Sequence, residues 1–247
     1  MVHAFADDSR GDLVVTAALV LREERVAHAE SILAESKLAT GLPAEERLHC
    51  KTMFVADARR GTAWQSLSPD AIYKLVRAVC GQLKDISEQP LLAILDPRQF
   101  PEEPVTPTGP IRRRGPQEIA SLGYGGLWAG LSTRYAVGNF RMWVDPDPTR
   151  IDWGAGRRQA DRTRGIYLDL GPGTEPPKLE PEVVISETKP PLLEVADIYA
   201  YTALQVHRRR GGWAGGWFAE LHELIGAEQA IFQGNPGPTK WVDTREG

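Results

Sequence analysis

The stretch that decides the fold is the first: His3-Ala4-Phe5-Ala6, then Asp7-Asp8-Ser9-Arg10-Gly11-Asp12, then Leu13-Val14-Val15-Thr16-Ala17-Ala18-Leu19-Val20-Leu21. Two short apolar runs rich in β-formers flank a polar segment of turn-forming residues, so the chain opens as a β-hairpin. From residues 22 to 39 the period changes. Val26, Ala29, Leu33 and Leu38 recur among charges until Gly41-Leu42-Pro43 stops the pattern, which is an amphipathic helix with its terminator. The order is therefore β-β-α, with Asp7 standing where the first apolar run ends.

The same mixture continues outward. Ser68-Pro69-Asp70 is a helix start, with Ser68 as N-cap and Pro69 in the first turn, and Ile72, Leu75, Val76, Val79, Leu83 and Ile86 form its buried stripe. Leu91 to Leu95 is a continuous apolar run ending in Asp96-Pro97, as expected of a strand covered on both faces. Residues 97–116 hold six prolines and Arg112-Arg113-Arg114, which predicts a loop insertion. Beyond it, 117–135 reads as a helix despite its glycines, and 139–144 as a strand ending at Asp145. Residues 146–181 read as a second Pro/Gly/Arg-rich insertion, with a short strand at 166–170. The core resumes with a strand at 183–185 and a helix over 191–209, its arginines at the C-terminal end where positive charge suits the dipole. The remaining 211–247 read as an extension holding a helix at 213–225 and then turns. Fold class is α/β: one domain over 1–247, a mixed sheet starting with a hairpin and flanked by helices.

Composition narrows the function classes. With 42% hydrophobic and 25% charged residues in a chain of 247, the protein has the make-up of an ordinary globular domain. A formal net charge of -4 argues against binding nucleic acid through overall positive charge. Arginine clusters in three runs, 112–114, 157–164 and 208–210, so basic surface exists despite the acidic total, each run being also explicable as solvated loop or helix end. Only Cys50 and Cys80 occur, without CxxC spacing, and no signal peptide opens the chain, so a reducing cytoplasmic setting is expected. Apolar stretches fall well short of the ~20 residues that cross a bilayer, so no membrane role is expected.

The chemistry-bearing residues are acidic. Asp7, Asp96 and Asp145 each stand where an apolar strand stops, and strand ends are where open α/β sheets place ligand-binding groups. The ordinary alternative for any one of them is a turn or a helix cap. Glu194 and Asp197 are spaced i, i+3 on a partly apolar helix, so they share a face and repel unless a cation compensates; solvated carboxylates give the same spacing. An oxygen-rich set without clustered His or Cys suits Mg²⁺ or Mn²⁺, and such ions activate water and stabilise the leaving oxygen in phosphodiester cleavage.

Four stretches, taken in order, resemble the family known as domain of unknown function 3800, grouped with ribonuclease H-like folds. Phe5-Ala6-Asp7-Asp8-Ser9 is similar to its strand and Asp-Glu-Ser-Gly start, with Asp8 for Glu and Arg10 for Gly. Leu48-His49-Cys50-Lys51 resembles its Glu-Leu-His or Glu-Leu-Lys segment, Met142-Trp143-Val144-Asp145 its strand ending in Asp, and Pro191-Leu192-Leu193-Glu194-Val195-Ala196-Asp197 its Pro-Leu-Leu-Gln-Leu-Ala-Asp helix start. The resemblance implies a ribonuclease H-like core with Asp7, Asp145 and Asp197 as metal ligands. It also implies that His49 or Lys51 assists proton transfer or binds phosphate. Two further positions depart from the family: Arg47 stands where Glu is common, and Glu194 where Gln is usual. Glu194 either replaces the ligand lost at Arg47 or the site is inactive. Glu187 is a further acidic candidate.

Two functions therefore compete. One is a metal-dependent nuclease or phosphodiesterase using Asp7, Asp145, Glu194 and Asp197 for Mg²⁺ or Mn²⁺, with nucleic acid held by the arginine-rich loops. The other is a module of the same fold that binds nucleic acid or protein without catalysis, in which Trp153, Trp213, Trp217 and Trp241 could stack bases or meet a partner. No Gly-x-Ser-x-Gly elbow and no Walker A loop occur, which argues against a serine hydrolase and a P-loop nucleotidase.

Overall fold

The computed structural model describes residues 1–99, 103–104, 111–112, 116–136, 138–144, 183–185, 189–208, 213–232 and 241–242. The opening hairpin is there: β1 (Val2–Arg10) pairs antiparallel with β2 (Val14–Arg22). It is longer than the apolar runs suggest. Asp7-Asp8-Ser9-Arg10, read from sequence as part of the turn, continue the strand and pair with Val14 to Ala17, leaving only Gly11 to Leu13 to reverse the chain. Polar residues can extend a ladder when alternation gives each a partner. Arg10 forms an ion pair with Asp8 on one face while Asp7 points to the other.

Helix α1 (Glu23–Ala39) follows at once and ends in a Schellman motif: Gly41 has φ 79°, Leu42 N–H donates to Lys37 O at 3.1 Å, and Gly41 N–H to Leu38 O at 3.0 Å. Leu42 is buried by that turn. Residues 44–66, for which the sequence pattern predicted no element, contain two short helices, α2 (Cys50–Phe54) and α3 (Ala56–Arg59), and a 3-10 turn at Ala63–Ser66. Helix α4 (Pro69–Lys84) begins as predicted, with the Ser68 hydroxyl accepting from Ala71 N–H at 3.1 Å.

β3 (Glu88–Leu95) pairs antiparallel with β2. The proline-rich insertion is not wholly irregular: it holds a 3-10 turn at Pro97–Gln99 and a two-residue ladder between β4 (Glu103–Pro104) and β5 (Ile111–Arg112). Helix α5 (Pro116–Arg134), β6 (Phe140–Val144), β7 (Val183–Ile185), α6 (Leu193–His207) and α7 (Trp213–Ile225) occupy the positions expected. After α7 the expectation of turns is wrong. β8 (Glu228–Phe232) pairs parallel with β3, and β9 (Trp241–Val242) pairs with β8. The reason is tertiary: Leu91 to Leu95 are buried, and the backbone of a buried strand needs a partner on both edges. The short strand expected at 166–170 lies outside the described residues.

The main sheet is mixed, in the order β7-β6-β1-β2-β3-β8-β9, with β2 and β9 antiparallel to the rest. Helices cover both faces, which makes the architecture α/β. Alternation along β2 divides the core: Val15, Ala17, Leu19 and Leu21 face the layer of α1, α4, α6 and α7, while Val14, Ala18 and Val20 face α5. That two-sided burial is why β2 and β3 are continuous apolar runs. No helix among the described residues is long and apolar enough to cross a membrane.

Candidate active site

Asp7 is placed by the geometry of β1. Among the described residues the strand pairs parallel with β6 as far as Ala6 opposite Val144, and its pairing with β2 runs on through Asp7, so Asp7 stands just past the described end of β6. Being odd-numbered like Phe5, it points to the α6 side of the sheet. Asp8 points the other way, where Tyr124 of α5 donates to its Oδ1 at 3.0 Å.

Helix α6 supplies the opposing wall. Pro190 and Pro191 lead into it, and its first turns carry Glu194 and Asp197, buried to 7% and 8% exposure. Both carboxylates hold the segment before α2. Asp197 Oδ2 accepts from Cys50 N–H at 2.9 Å and meets His49 Nδ1 at 3.0 Å; Glu194 Oε2 accepts from Leu48 N–H at 3.0 Å. Glu194 is also 2.7 Å from the ammonium of Lys37, itself only 2% exposed. The compensation expected for two like charges one helical turn apart is thus supplied by a lysine and by backbone donors.

Between these walls lies a cleft of about 390 Å³, lined among others by Asp7, Arg47, His49, Lys189, Glu194 and Asp197. Lys189 Nζ lies 3.7 Å from Asp7 Oδ2. Burial raises the Asp7 carboxyl from 3.8 to about 7; Lys189 opposes the rise, and the nearby Asp197 and Asp8 charges add to it. The His49 pKa is raised as well: its hydrogen bond to Asp197 favours the imidazolium despite partial burial, which opposes the rise. Cys50, fully buried beside this pair, has its thiol pushed well up by burial and is no nucleophile.

Of the residues singled out in the sequence, Asp7, His49, Glu194 and Asp197 meet in one cleft. Lys51 is exposed on α2 and is not among the residues lining it. Asp145 and Glu187 lie outside the described residues. Asp96 is taken up locally, accepting from Arg98 N–H at 2.9 Å and pairing with its guanidinium at 2.8 Å, so it caps a turn. Trp217 is not a free stacking surface: it packs on Tyr73 with ring centroids 4.6 Å apart. Of the three arginine runs, Arg208 is held by Asp12 of the hairpin turn, and 113–114, 157–164 and 209–210 lie outside the described residues.

Two site residues were missed. Lys189 sits in a proline-bounded segment with no periodicity to mark it. Lys37 had a signal: Ala29, Leu33 and Lys37 follow at intervals of four, so a lysine occupies a position where the buried stripe calls for an apolar residue.

Among the described residues no group of three or more His, Cys, Asp or Glu side chains is placed to hold a metal ion. Asp7 and Asp197 provide two carboxylates, one fewer than such a group needs. Comparison with models of protein families gives no match, and comparison with curated proteins gives none either.

Proposed function

We propose that this cleft is the active site of a metal-dependent phosphodiesterase of the nuclease type, built on a ribonuclease H-like core as the resemblance to domain of unknown function 3800 implies. The observation that carries the reading is the pairing of a desolvated Asp7 with Asp197 in a cleft that also presents Arg47, His49 and Lys189. A buried carboxylate repelled by a second one is a poor structural element and a good cation ligand. The third carboxylate is assigned to Asp145, which follows Val144, the partner of the residue preceding Asp7. That assignment rests on the resemblance, in which the strand ending at Asp145 supplies a ligand.

A bound Mg²⁺ or Mn²⁺ would supply Lewis-acid activation of water and charge stabilisation at phosphorus. The chain's own residues do the rest. Arg47 and Lys189 draw the phosphodiester into the cleft, and the arginine-rich loops hold flanking phosphates. His49, fixed through Nδ1 by Asp197, is left with Nε2 to exchange a proton with bound substrate.

The test is cleavage of labelled single- and double-stranded DNA and RNA with and without Mg²⁺, in wild type, Asp7→Asn and Asp197→Asn, with circular dichroism to confirm the fold. Metal-dependent cleavage abolished in both variants is the expected result, and normal cleavage by both overturns the reading.

A second reading, a non-catalytic module that binds nucleic acid or protein, is favoured by one feature: Lys189 and Lys37 already bring cations to Asp7 and Glu194. Calorimetric titration with Mn²⁺ separates the two, because the module needs no metal uptake at Asp7 and Asp197.

A further inference from the structure

Lys37 is the least expected residue in the core. It is a lysine on the buried stripe of α1, with its ammonium 2.7 Å from Glu194 Oε2 and 3.3 Å from Ala44 O. A buried ion pair is retained only with good geometry and further hydrogen bonds, and this one has them. The same Oε2 atom accepts the Leu48 amide, tying α1, α6 and the segment leading to α2 together at one oxygen. One helical turn on, Asp197 holds the Cys50 amide. Two carboxylates thus grip alternate amides of one short segment.

What that grip positions is clear from the chain order. Leu48 is 1% exposed and anchored, and its immediate neighbours, Arg47 and His49, both line the cleft. Glu194 is meanwhile a poor site for a second cation. Its charge is matched at 2.7 Å by Lys37 in a place with almost no water, whereas Asp7 meets Lys189 only at 3.7 Å.

We propose that Lys37 and Glu194 form a buried clip that positions Arg47 and His49 in the cleft, and that Glu194 is a positioning residue, not a metal ligand. The functional meaning of the clip rests on the metal-site reading; its existence does not, and the two are tested separately.

The full chain is compared in three forms: wild type, the double variant K37M/E194Q, and the double variant K37M/E194A. The Gln variant removes both charges and keeps an oxygen for the Leu48 amide; the Ala variant removes that oxygen as well. Residue-resolved hydrogen exchange should be about tenfold or more faster at Leu48 in K37M/E194A than in K37M/E194Q. Affinity for inorganic phosphate, read at Arg47 and His49 by NMR shifts, should fall about fivefold or more in K37M/E194A and be restored in K37M/E194Q, which a role in global stability alone would not produce. Mn²⁺ affinity of K37M/E194Q should stay within about threefold of wild type, since losing even an outer-shell partner of a metal ligand costs about tenfold or more.

Equal exchange and equal phosphate affinity in the two variants overturn the clip. A tenfold or greater loss of Mn²⁺ affinity in K37M/E194Q places Glu194 in the metal site, as ligand or as the support of one, and also overturns the proposal. Should wild type bind no Mn²⁺, the metal reading falls, and exchange and phosphate affinity decide the clip alone. Should K37M/E194A not fold, Leu48 exchange in K37M/E194Q decides: within about threefold of wild type sustains the clip, and faster overturns it.

Discussion

Asp7 shows how one residue can be both costly to the fold and useful to the site. Burial raises its carboxyl from 3.8 to about 7, so the folded protein holds this proton more tightly than the unfolded chain. A raised carboxyl leaves stability intact below 3.8, where both states are protonated, and removes it as pH rises towards 7. The rise corresponds to roughly 4 kcal/mol between protonation states, an upper figure because the cleft lets water reach the group. Asp7→Asn, a permanently neutral side chain of the same shape, should therefore be more stable than wild type by about 1–3 kcal/mol at pH 8 without divalent cations. The difference should vanish near pH 4. Urea denaturation at the two pH values measures it, and a variant less stable than wild type at pH 8 would contradict the assignment of burial as the dominant cause. The same substitution is the one expected to abolish cleavage.

Among the elements, α5 explains why a glycine-rich segment is a helix. Its first buried turns lie against β2 and β3, and a Cβ placed on Gly123 would come 2.6 Å from Thr16 Oγ1, 2.7 Å from Thr16 Cγ2 and 3.0 Å from Leu95 Cδ1. The glycine costs helix propensity and allows a close approach to the sheet. Gly123→Ala should destabilise the protein by about 1–3 kcal/mol through overpacking. The double variant with Thr16→Ala should recover a large part of that loss, since the Thr16 hydroxyl has no hydrogen-bond partner among the described residues. Chemical denaturation of both variants checks this; a double variant as unstable as the sum of the singles would mean the two residues do not meet. Helix α4 is the contrasting case: its N-cap and the stripe from Ile72 to Leu83 are visible in the sequence, although the helix ends at Lys84, before Ile86, and also buries Tyr73 and Cys80.

For the molecule as a whole, the last strands decide whether the sheet is closed off safely. β8 covers the β3 edge, whose residues Leu91 to Leu95 are buried, and Glu228 of β8 meets Arg134 of α5. A chain ending after Gly226 should expose that edge and associate, seen by light scattering together with loss of a single cooperative thermal transition. A monomeric truncation melting like the full chain would show β8 to be dispensable. Neither strand was legible beforehand, because the pairing that makes 228–232 a strand comes from β3, over a hundred residues earlier. What the sequence by itself determined is the local part: the opening hairpin, the stop after α1, the N-cap of α4 and the two-sided burial of β3. Those depend on period, turn chemistry and residue type, which are properties of neighbours in the chain. Tertiary structure alone decided that Asp7, His49 and Asp197 share a cleft, that Lys37 neutralises Glu194, and that Lys189 stands beside Asp7. Each depends on a contact between distant segments, fixed by which strand pairs with which and which helix covers them.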